Sequence, residues 1–303
     1  MIFLQNILRK IPMSRILTRN YFKIVEVSPR DGLQNISNFV PTENKKKIIK
    51  NLVQLGLKDI EVTSFVSKKK VPQMADAEEI INYCHKLNIK YPDVNFIALT
   101  PNKVGYNKAI ECGAKNLAIF TAVSETFCKK NIGCSIDESL DRYRDICLNS
   151  SDDIKIRGYL SCIAGCPYEG NINIDDIVRV TKELFNMGCY EISLGDTIGV
   201  GTPQQISYIL DEILKYIPKE IIAVHFHDTN GNAISNINVA IEKGIKIIDS
   251  SIAGIGGCPC APGAPGNVAT EDVLKLFEKK KIETHIDLNN TNKLIGYINN
   301  LIN

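Results

Sequence analysis

IIAVHFHDTNGNAISNINVAIEKG, residues 221–244, is the stretch from which the fold of the whole chain can be predicted. The apolar run at residues 221–224 leads into a polar segment, which is typical of a buried strand that ends in a loop. Apolar residues at helical spacing follow from Asn232 to Glu242, and Gly244 is a typical helix stop. The stretch therefore predicts one strand followed by one helix.

The same unit occurs eight times, and its copies start roughly 30 residues apart, as in barrel proteins. The predicted strands span residues 23–27, 58–63, 94–100, 116–123, 154–161, 189–194, 221–227 and 245–251. The predicted helices span residues 42–55, 75–87, 102–112, 136–149, 174–187, 203–216 and 232–242, and an eighth begins near Thr270. Eight consecutive units predict an α/β fold of the (β/α)8 TIM-barrel type. A doubly wound open sheet is the alternative, but the first strand–helix turn lacks Gly-x-Gly-x-x-Gly.

The two ends of the chain differ from this repeating part. Residues 1–22 contain four basic residues and no acidic residue, with apolar side chains spread among them. This composition is typical of a mitochondrial transit peptide, so we predict the mitochondrial matrix as the location. A simple extension on a cytoplasmic protein is the alternative. We expect residues 23–303 to form a single catalytic barrel domain, with an amphipathic C-terminal helical extension beyond about residue 286.

Bulk composition excludes several classes of protein. The net charge is +2 with acids and bases interspersed, so no nucleic-acid partner is predicted. No window approaches the 18 or more apolar residues of a membrane span, so no membrane association is predicted. The ten cysteines are scattered without a pair of CxxC zinc motifs. We interpret most of them as reduced, small apolar residues.

Ionisable side chains collect where the predicted strands end. The active sites of barrel enzymes lie at the carboxyl ends of the strands. The residues at these positions are Arg30, Asp31, Glu61, Asp196, His225, His227 and, in the glycine-rich loop 254–267, Cys258 and Asn267. We therefore predict a catalytic site at this end of the barrel.

A metal site is the first prediction from this set. Side chains alternate along a strand, so His225 and His227 point the same way and can chelate one ion. Asp31 adds a carboxylate, and Asn267 adds an amide oxygen. These ligand types suit Mg²⁺ or Mn²⁺ and would also accept Zn²⁺. Taken alone, His-x-His is also the pattern of two ordinary polar residues in a loop.

The remaining residues suggest acid–base and electrostatic roles. Arg30 could neutralise charge on a carbonyl oxygen, and it is the natural partner for a buried Glu61. An unperturbed thiol has a pKa of about 8.5, so Cys258 could be tuned to donate or accept a proton. Each residue also has a plain structural interpretation. Glu61 would form a structural ion pair, Asp196 would cap the next helix, and Cys258 would be an idle thiol.

Several longer motifs carry a resemblance to a known family. They are VSPRDGLQN (27–35), TSFVS (63–67), VPQM (71–74), SC…GCPYEG (161–170), GCYEISLGDTIG (188–199), HFHDT (225–229) and GGCP…GNVATED (256–272). The chain resembles the 3-hydroxy-3-methylglutaryl-CoA lyase family, which belongs to a superfamily of metal-dependent TIM-barrel lyases and Claisen synthases. The resemblance covers roughly residues 23–285.

The resemblance implies a homodimer that acts on an acyl-CoA. The reaction would be a divalent-metal-dependent retro-Claisen cleavage of (S)-3-hydroxy-3-methylglutaryl-CoA to acetoacetate and acetyl-CoA. Arg30 would stabilise the enolate oxygen. The other implied roles are metal binding by Asp31, His225, His227 and Asn267, proton transfer by Glu61, Asp196, His225 and Cys258, and lining of the acyl pocket by Gln34, Ser64 and Thr197.

Some positions depart from the family pattern, and two other functions stay open. Cys260 stands where an aromatic residue is usual, Asn230 where a Tyr is common, and Ser28 where a Gly is usual. A Claisen synthase is the nearest alternative, but it would be expected to carry Glu-Arg in place of Cys258-Pro259. A metal- or redox-sensing barrel without catalysis is the other alternative. The basic pair at residues 129–130 could meet a CoA phosphate or could be merely solvated.

Overall fold

Eight parallel strands form a closed barrel in the computed structural model, which describes residues 21–257 and 266–302. Each strand pairs with its neighbours in sequence, and the last strand closes on the first through Lys23↔Ile247 and Glu26↔Ser250. The predicted (β/α)8 barrel is therefore confirmed. The predicted transit peptide, except for its last two residues, and Cys258 and Cys260 lie outside the described residues.

The strands lie close to their predicted positions. They are β1 (Lys23–Glu26), β2 (Asp59–Ser64), β3 (Asn95–Leu99), β4 (Asn116–Ala122), β5 (Lys155–Ser161), β6 (Glu191–Asp196), β7 (Ile222–Phe226) and β8 (Ile247–Ser250). The largest shift is in β6, which begins and ends two residues later than predicted. The amide of Cys189 still donates to Leu184 O in the preceding helix end, so the extended segment starts only after it.

Residues 21–257 and 266–302 contain ten α-helices. They are α1 (Thr42–Gln54), α2 (Ala77–Lys90), α3 (Lys103–Glu111), α4 (Glu125–Asn131), α5 (Ile136–Asn149), α6 (Ile174–Asn186), α7 (Pro203–Leu214), α8 (Ala233–Glu242), α9 (Thr270–Lys279) and α10 (Leu288–Ile302). None of these helices has the length and apolarity needed to cross a membrane.

Two of the helices bear directly on the predictions. Helix α4 was not predicted, because the segment between β4 and α5 is short and lacks an apolar period. Its start is stabilised by the Ser124 hydroxyl, which accepts from Phe127 N at 3.1 Å. Helix α10 is the predicted C-terminal extension. It buries Leu294 and Ile298 against the barrel layer, where it packs on α1 and on the turn Ile252–Gly254.

The outward faces of the strands form the main apolar core. In β6, for example, Ile192 and Leu194 point outward and are fully buried, as is Leu184 of α6. Successive side chains of a strand point to opposite faces, so the alternate residues of the same strand point into the barrel. Inside the barrel, a smaller apolar cluster is formed by Val25, Val27, Ile97, Leu99, Ala118, Tyr159, Ala223 and Ile247.

Charged side chains share the barrel interior with this cluster. Arg157 lies on β5 with no exposed surface, and it donates to both oxygens of Asp249 at 2.9 and 2.6 Å. Its Nε is 3.2 Å from Glu191 Oε2. Glu191 also accepts from Lys23 Nζ at 2.6 Å, and Lys23 is 2.8 Å from Asp59 Oδ1. A buried charge is tolerated only when it is paired, and this network pairs all five.

We predict that Arg157→Met strongly destabilises the barrel, because it leaves the buried carboxylate of Asp249 without its arginine and removes one of the two cations that contact Glu191. The free energy of unfolding should fall by about 3–5 kcal/mol, the usual cost of breaking a buried ion pair. Urea unfolding followed by circular dichroism measures it. Arg179→Ala is the matched control, since Arg179 pairs with Asp137 on the surface at 2.8 Å. An exposed pair contributes about 0.2–1 kcal/mol. Equal effects of the two substitutions would contradict the prediction.

Candidate active site

A cavity of about 480 Å³ opens at the carboxyl end of the barrel. Polar side chains from several strand ends and aromatic side chains from β4, β5 and α4 form its walls. Seven of the residues predicted as metal ligands or substrate contacts line it: Arg30, Asp31, Gln34, Ser64, Thr197, His225 and His227. The sequence therefore located this end of the barrel correctly.

Asp31, His225 and His227 form a cluster that could hold one metal ion. Their candidate ligand atoms all lie within 4.8 Å of one another. His225 Nε2 is 3.9 Å from Asp31 Oδ2, and the centroids of the two imidazole rings are 5.5 Å apart. Within residues 21–257 and 266–302 this is the one group of three such residues, and it contains no cysteine.

The barrel topology explains why these three residues meet. His225 points inward from β7, and His227 lies one residue beyond the end of this strand. Asp31 lies in the π-helical turn Ser28–Gly32, which follows β1. Strands β7, β8 and β1 are consecutive around the closed barrel, so their carboxyl ends lie side by side.

Asn267 lies beside this cluster, as predicted. It forms an isolated antiparallel bridge with His227, and its Nδ2 donates to Asp31 Oδ2 at 2.7 Å and to Ile255 O at 3.2 Å. The amide nitrogen therefore faces the carboxylate. For its oxygen to act as a ligand, the side-chain amide has to rotate so that its oxygen and nitrogen exchange places.

Both ends of the glycine-rich loop are held next to the cluster. The amide of Asn267 donates to Gly256 O at 3.3 Å, and that of Asp228 donates to Gly266 O at 2.7 Å. A side chain on Gly266 would place a Cβ 1.6 Å from Gly256 O, so only glycine fits. The described part of the loop reaches the cavity at Gly257.

Charges in the cluster suit a divalent cation. Burial raises the pKa of Asp31, but Arg30, His225, His227 and the hydrogen bond from Asn267 together outweigh burial and lower this pKa to about 2. Burial and the nearby His225 together lower the pKa of His227 to about 4. Asp31 is therefore ionised and His227 neutral at neutral pH, which are the metal-binding forms. His227 Nδ1 is buried with no hydrogen-bond partner in the described part of the chain, as expected where a ligand is missing.

Arg30 and Glu61 form the predicted contact. Arg30 Nε and Nη2 lie 2.7 and 2.6 Å from Glu61 Oε2, and Nη1 donates to Asp31 Oδ1 at 2.6 Å. Burial raises the pKa of Glu61, and Arg30 opposes this effect. The guanidinium is thus fixed between two carboxylates at the edge of the cavity.

Asp196 points away from the cavity. It is the last residue of β6, and the pleat directs its side chain outward, whereas its neighbours Gly195 and Thr197 line the cavity. Its two oxygens accept from the amides of Val200 and Gly201 at 3.2 and 2.8 Å. This geometry favours the structural alternative, in which Asp196 stabilises the turn before α7.

The two lysines at residues 129–130 fit different interpretations, one facing the cavity and the other facing solvent. Lys130 lines the cavity, and its Nζ lies 3.7 Å from the centroid of the Tyr168 ring. Lys129 is largely exposed, with its Nζ 3.7 Å from Glu125 Oε2. Both residues belong to α4, so the unpredicted helix forms one wall of the site.

Two residues of the site were missed in the sequence. Tyr159 lines the cavity, with its ring centroid 5.7 Å from Arg30 Cζ and edge-on to the His225 ring at 5.9 Å. Asp249 lies beneath the site, and its Oδ2 is 3.3 Å from His225 Nδ1. Each of them is a polar residue within a predicted strand, and a polar side chain that is buried there requires a partner. This pattern could have identified both from the sequence.

Comparisons with known proteins agree with this architecture. The profile of the HMGL-like family matches residues 21–298. A Bos taurus protein named hydroxymethylglutaryl-CoA lyase, mitochondrial, is 52% identical over 267 residues, which are 88% of this chain and 81% of that protein. A Mus musculus protein named 3-hydroxy-3-methylglutaryl-CoA lyase, cytoplasmic, is 50% identical over 269 residues, which are 88% of this chain and 77% of that protein.

A solved structure gives the same result in three dimensions. The crystal structure of the HMG-CoA lyase from Brucella melitensis superposes with a TM-score of 0.88 at 42% identity, and the match covers 93% of this chain and 98% of that one. The family profile spans nearly all of the described barrel. The chain therefore belongs to the HMGL-like family.

Proposed function

We propose that this chain is a hydroxymethylglutaryl-CoA lyase, a carbon–carbon lyase that cleaves (S)-3-hydroxy-3-methylglutaryl-CoA to acetoacetate and acetyl-CoA. The observation that carries the proposal is the placement of Arg30 beside the cluster of Asp31, His225 and His227 in one cavity. About half of the residues are identical to those of relatives with this name over 88% of the chain. The reaction belongs to ketone-body formation and leucine degradation.

The proposed reaction is a retro-Claisen cleavage. The tertiary hydroxyl loses its proton, and its oxygen forms the ketone of acetoacetate. The bond between the carbinol carbon and the methylene carbon next to the thioester breaks, and its electron pair becomes the enolate of acetyl-CoA. A proton delivered to that carbon gives acetyl-CoA. The site must therefore accept one proton, donate one proton, and stabilise one enolate oxygen.

Asp31, His225, His227 and Asn267 would hold the divalent cation, which we propose to be Mg²⁺ or Mn²⁺. A bound cation supplies Lewis acidity towards the oxygens of the substrate. The ionised carboxylate and the neutral His227 fit such an ion. Asn267 lies within hydrogen-bonding distance of Asp31, so a rotation of its amide suffices to present the oxygen.

Arg30 would stabilise the enolate oxygen. Its guanidinium lines the cavity and is fixed by hydrogen bonds to Glu61 and Asp31. A cation held in place before the reaction does not have to reorganise as charge develops, and this gives such groups a large effect on rate.

The proton transfers are proposed for Glu61 and Cys258. His225 would serve as a metal ligand only, because its second ring nitrogen, Nδ1, faces Asp249. His225 lies at the cavity, and Glu61 lies behind Arg30 with one oxygen, Oε1, that has no hydrogen-bond partner in the described ranges. For Asp196, the catalytic role expected from the family would require its carboxylate to leave the amides of the β6–α7 turn. We propose that it acts by holding this turn, which carries Thr197.

The acyl group would contact the polar side chains on the cavity wall. Gln34, Ser64 and Thr197 all line it, and the buried Ser64 hydroxyl has no partner among the residues described. Lys130 at the same cavity could meet a phosphate of CoA. We further propose that the chain is located in the mitochondrial matrix, which the acid-poor composition of residues 1–22 supports. We also propose a homodimer, which is what the family resemblance implies.

We predict that purified chain converts 3-hydroxy-3-methylglutaryl-CoA to acetoacetate only when a divalent cation is present. Chelation should abolish the activity, and Mg²⁺ or Mn²⁺ should restore it, because the clustered ligands would hold the ion. Acetoacetate is measured with a coupled dehydrogenase assay. If no acetoacetate forms with either ion, the proposed function is wrong. Consumption of acetyl-CoA with a 2-oxo acid would then indicate the Claisen synthase.

We predict that His227→Ala removes turnover while the barrel stays folded. Loss of a direct ligand should weaken Mn²⁺ binding by more than the roughly 10–100-fold typical of outer-shell changes. Mn²⁺ binding is followed by electron paramagnetic resonance, and folding by circular dichroism. His85→Ala is the control, since His85 is exposed on α2 and its Nε2 is hydrogen-bonded to Cys112 O, outside the cluster. An active His227→Ala protein with normal Mn²⁺ affinity would show that the cluster is not the metal site.

A further inference from the structure

His225 faces charged groups through both of its ring nitrogens. Nε2 is directed at the cluster, 3.9 Å from Asp31 Oδ2. Nδ1 lies 3.3 Å from Asp249 Oδ2. His225 and Asp249 are directly paired in the register of β7 and β8, so the backbone itself holds the two side chains together on the inner face of the barrel.

Asp249 is held more rigidly than an ordinary buried carboxylate. Arg157 donates to both oxygens, at 2.9 and 2.6 Å, and Ser193 Oγ donates to Oδ2 at 2.8 Å. Asp249 is 1% exposed, so no water competes for these positions. The two-bond fork from Arg157 fixes the plane of the carboxylate, and this fixes where Oδ2 meets the imidazole.

The charge on Asp249 determines which nitrogen of His225 carries a hydrogen. A carboxylate paired with arginine is ionised and can only accept hydrogen bonds. Nδ1 must therefore donate. A neutral imidazole has one donor and one acceptor, so Nε2 is left with its lone pair towards Asp31. Free histidine in water favours the opposite tautomer, and the barrel therefore selects the minor form.

We propose that Asp249 is a positioning residue for the metal centre, which fixes His225 as the Nδ1–H tautomer and aims Nε2 at the ion. Outer-shell carboxylates of this kind orient histidine ligands and raise their basicity. This inference rests on the metal site of the proposed function. Arg157 completes the arrangement, because it donates to both oxygens of Asp249.

The two histidines of the cluster are therefore not equivalent. His227 has no carboxylate hydrogen-bonded to its ring among the described residues. The effect of Asp249 should reach the ion through His225 alone. The tautomer of His225 is therefore the property that reports most directly on the effect of Asp249.

The first experiment needs no substitution in the site. The chain contains four histidines, so ¹⁵N-histidine labelling of the metal-free protein gives few ring signals in a long-range ¹H–¹⁵N spectrum. His85→Gln and His285→Gln, both at exposed positions, assign two of them. We expect His225 in the Nδ1–H form in mildly alkaline buffer. The Nε2–H form would overturn the proposal.

The second experiment changes Asp249 to Asn. The amide can offer either a donor or an acceptor to Nδ1, so the Nε2–H form should become populated. Mn²⁺ affinity, measured by paramagnetic resonance, should fall by about 10–100-fold. Ser193→Ala is the matched control, because it removes one hydrogen bond to Asp249 and leaves those of Arg157 and His225 in place. It should keep both the tautomer and the affinity.

An Asp249→Asn protein that binds Mn²⁺ as tightly as the wild type would refute the positioning role. If this variant does not fold, the wild-type tautomer still decides the question. Failure of the proposed function is separable from these outcomes. A wild-type protein that makes no acetoacetate but shows the Nδ1–H form and the loss of affinity in Asp249→Asn would refute only the reaction.

Discussion

The ion pair of Arg157 and Asp249 is the constraint on which the rest of the barrel interior depends. Both side chains are buried, and neither charge could remain there alone. Their residues lie on β5 and β8, so the pair forms only when the sheet has closed with the correct register. The register of β7 against β8 places Asp249 beside His225, and Glu191 links Arg157 to Lys23 near the opposite end of the barrel. The same contacts therefore satisfy the interior charges and fix one histidine of the site.

Tyr159 connects this network to the cavity above it. Its ring lies between two guanidinium groups, with Arg157 Cζ at 4.7 Å and Arg30 Cζ at 5.7 Å from the centroid. An aromatic face attracts each cation, so the ring lets two positive charges share a small volume. Arg30 in turn holds Asp31 and Glu61. The charged groups of the site are thus arranged before substrate arrives, which is the condition for electrostatic stabilisation of a transition state.

The fold and the end of the barrel that holds the site could be predicted from the sequence, because both depend on local patterns. Apolar runs mark the strands, and polar residues such as Asp31 and His227 stand directly after them. The contact of His225 with Asp249 could not be predicted, since it depends on the register of β7 against β8. The direction of Asp196 could not be predicted either, because the predicted strand ended at Leu194 and left Asp196 in a loop, where the alternation of a strand does not apply. The role of helix α4 as a cavity wall was missed because seven residues carry too little periodicity.

The base of the glycine-rich loop is closed by hydrogen bonds from Asn267 to Gly256 and from Asp228 to Gly266. Asn267 is therefore placed by the barrel and by the loop base, and its position does not depend on the residues between them. Lengthening a loop whose ends are already joined costs little, about 0.6 kcal/mol for each doubling of its length. Insertions or replacements within residues 258–265 would thus leave Asn267 in place beside Asp31. The closed base makes this segment a part of the chain that can change in length and sequence while the cluster of Asp31, His225 and His227 keeps its neighbour.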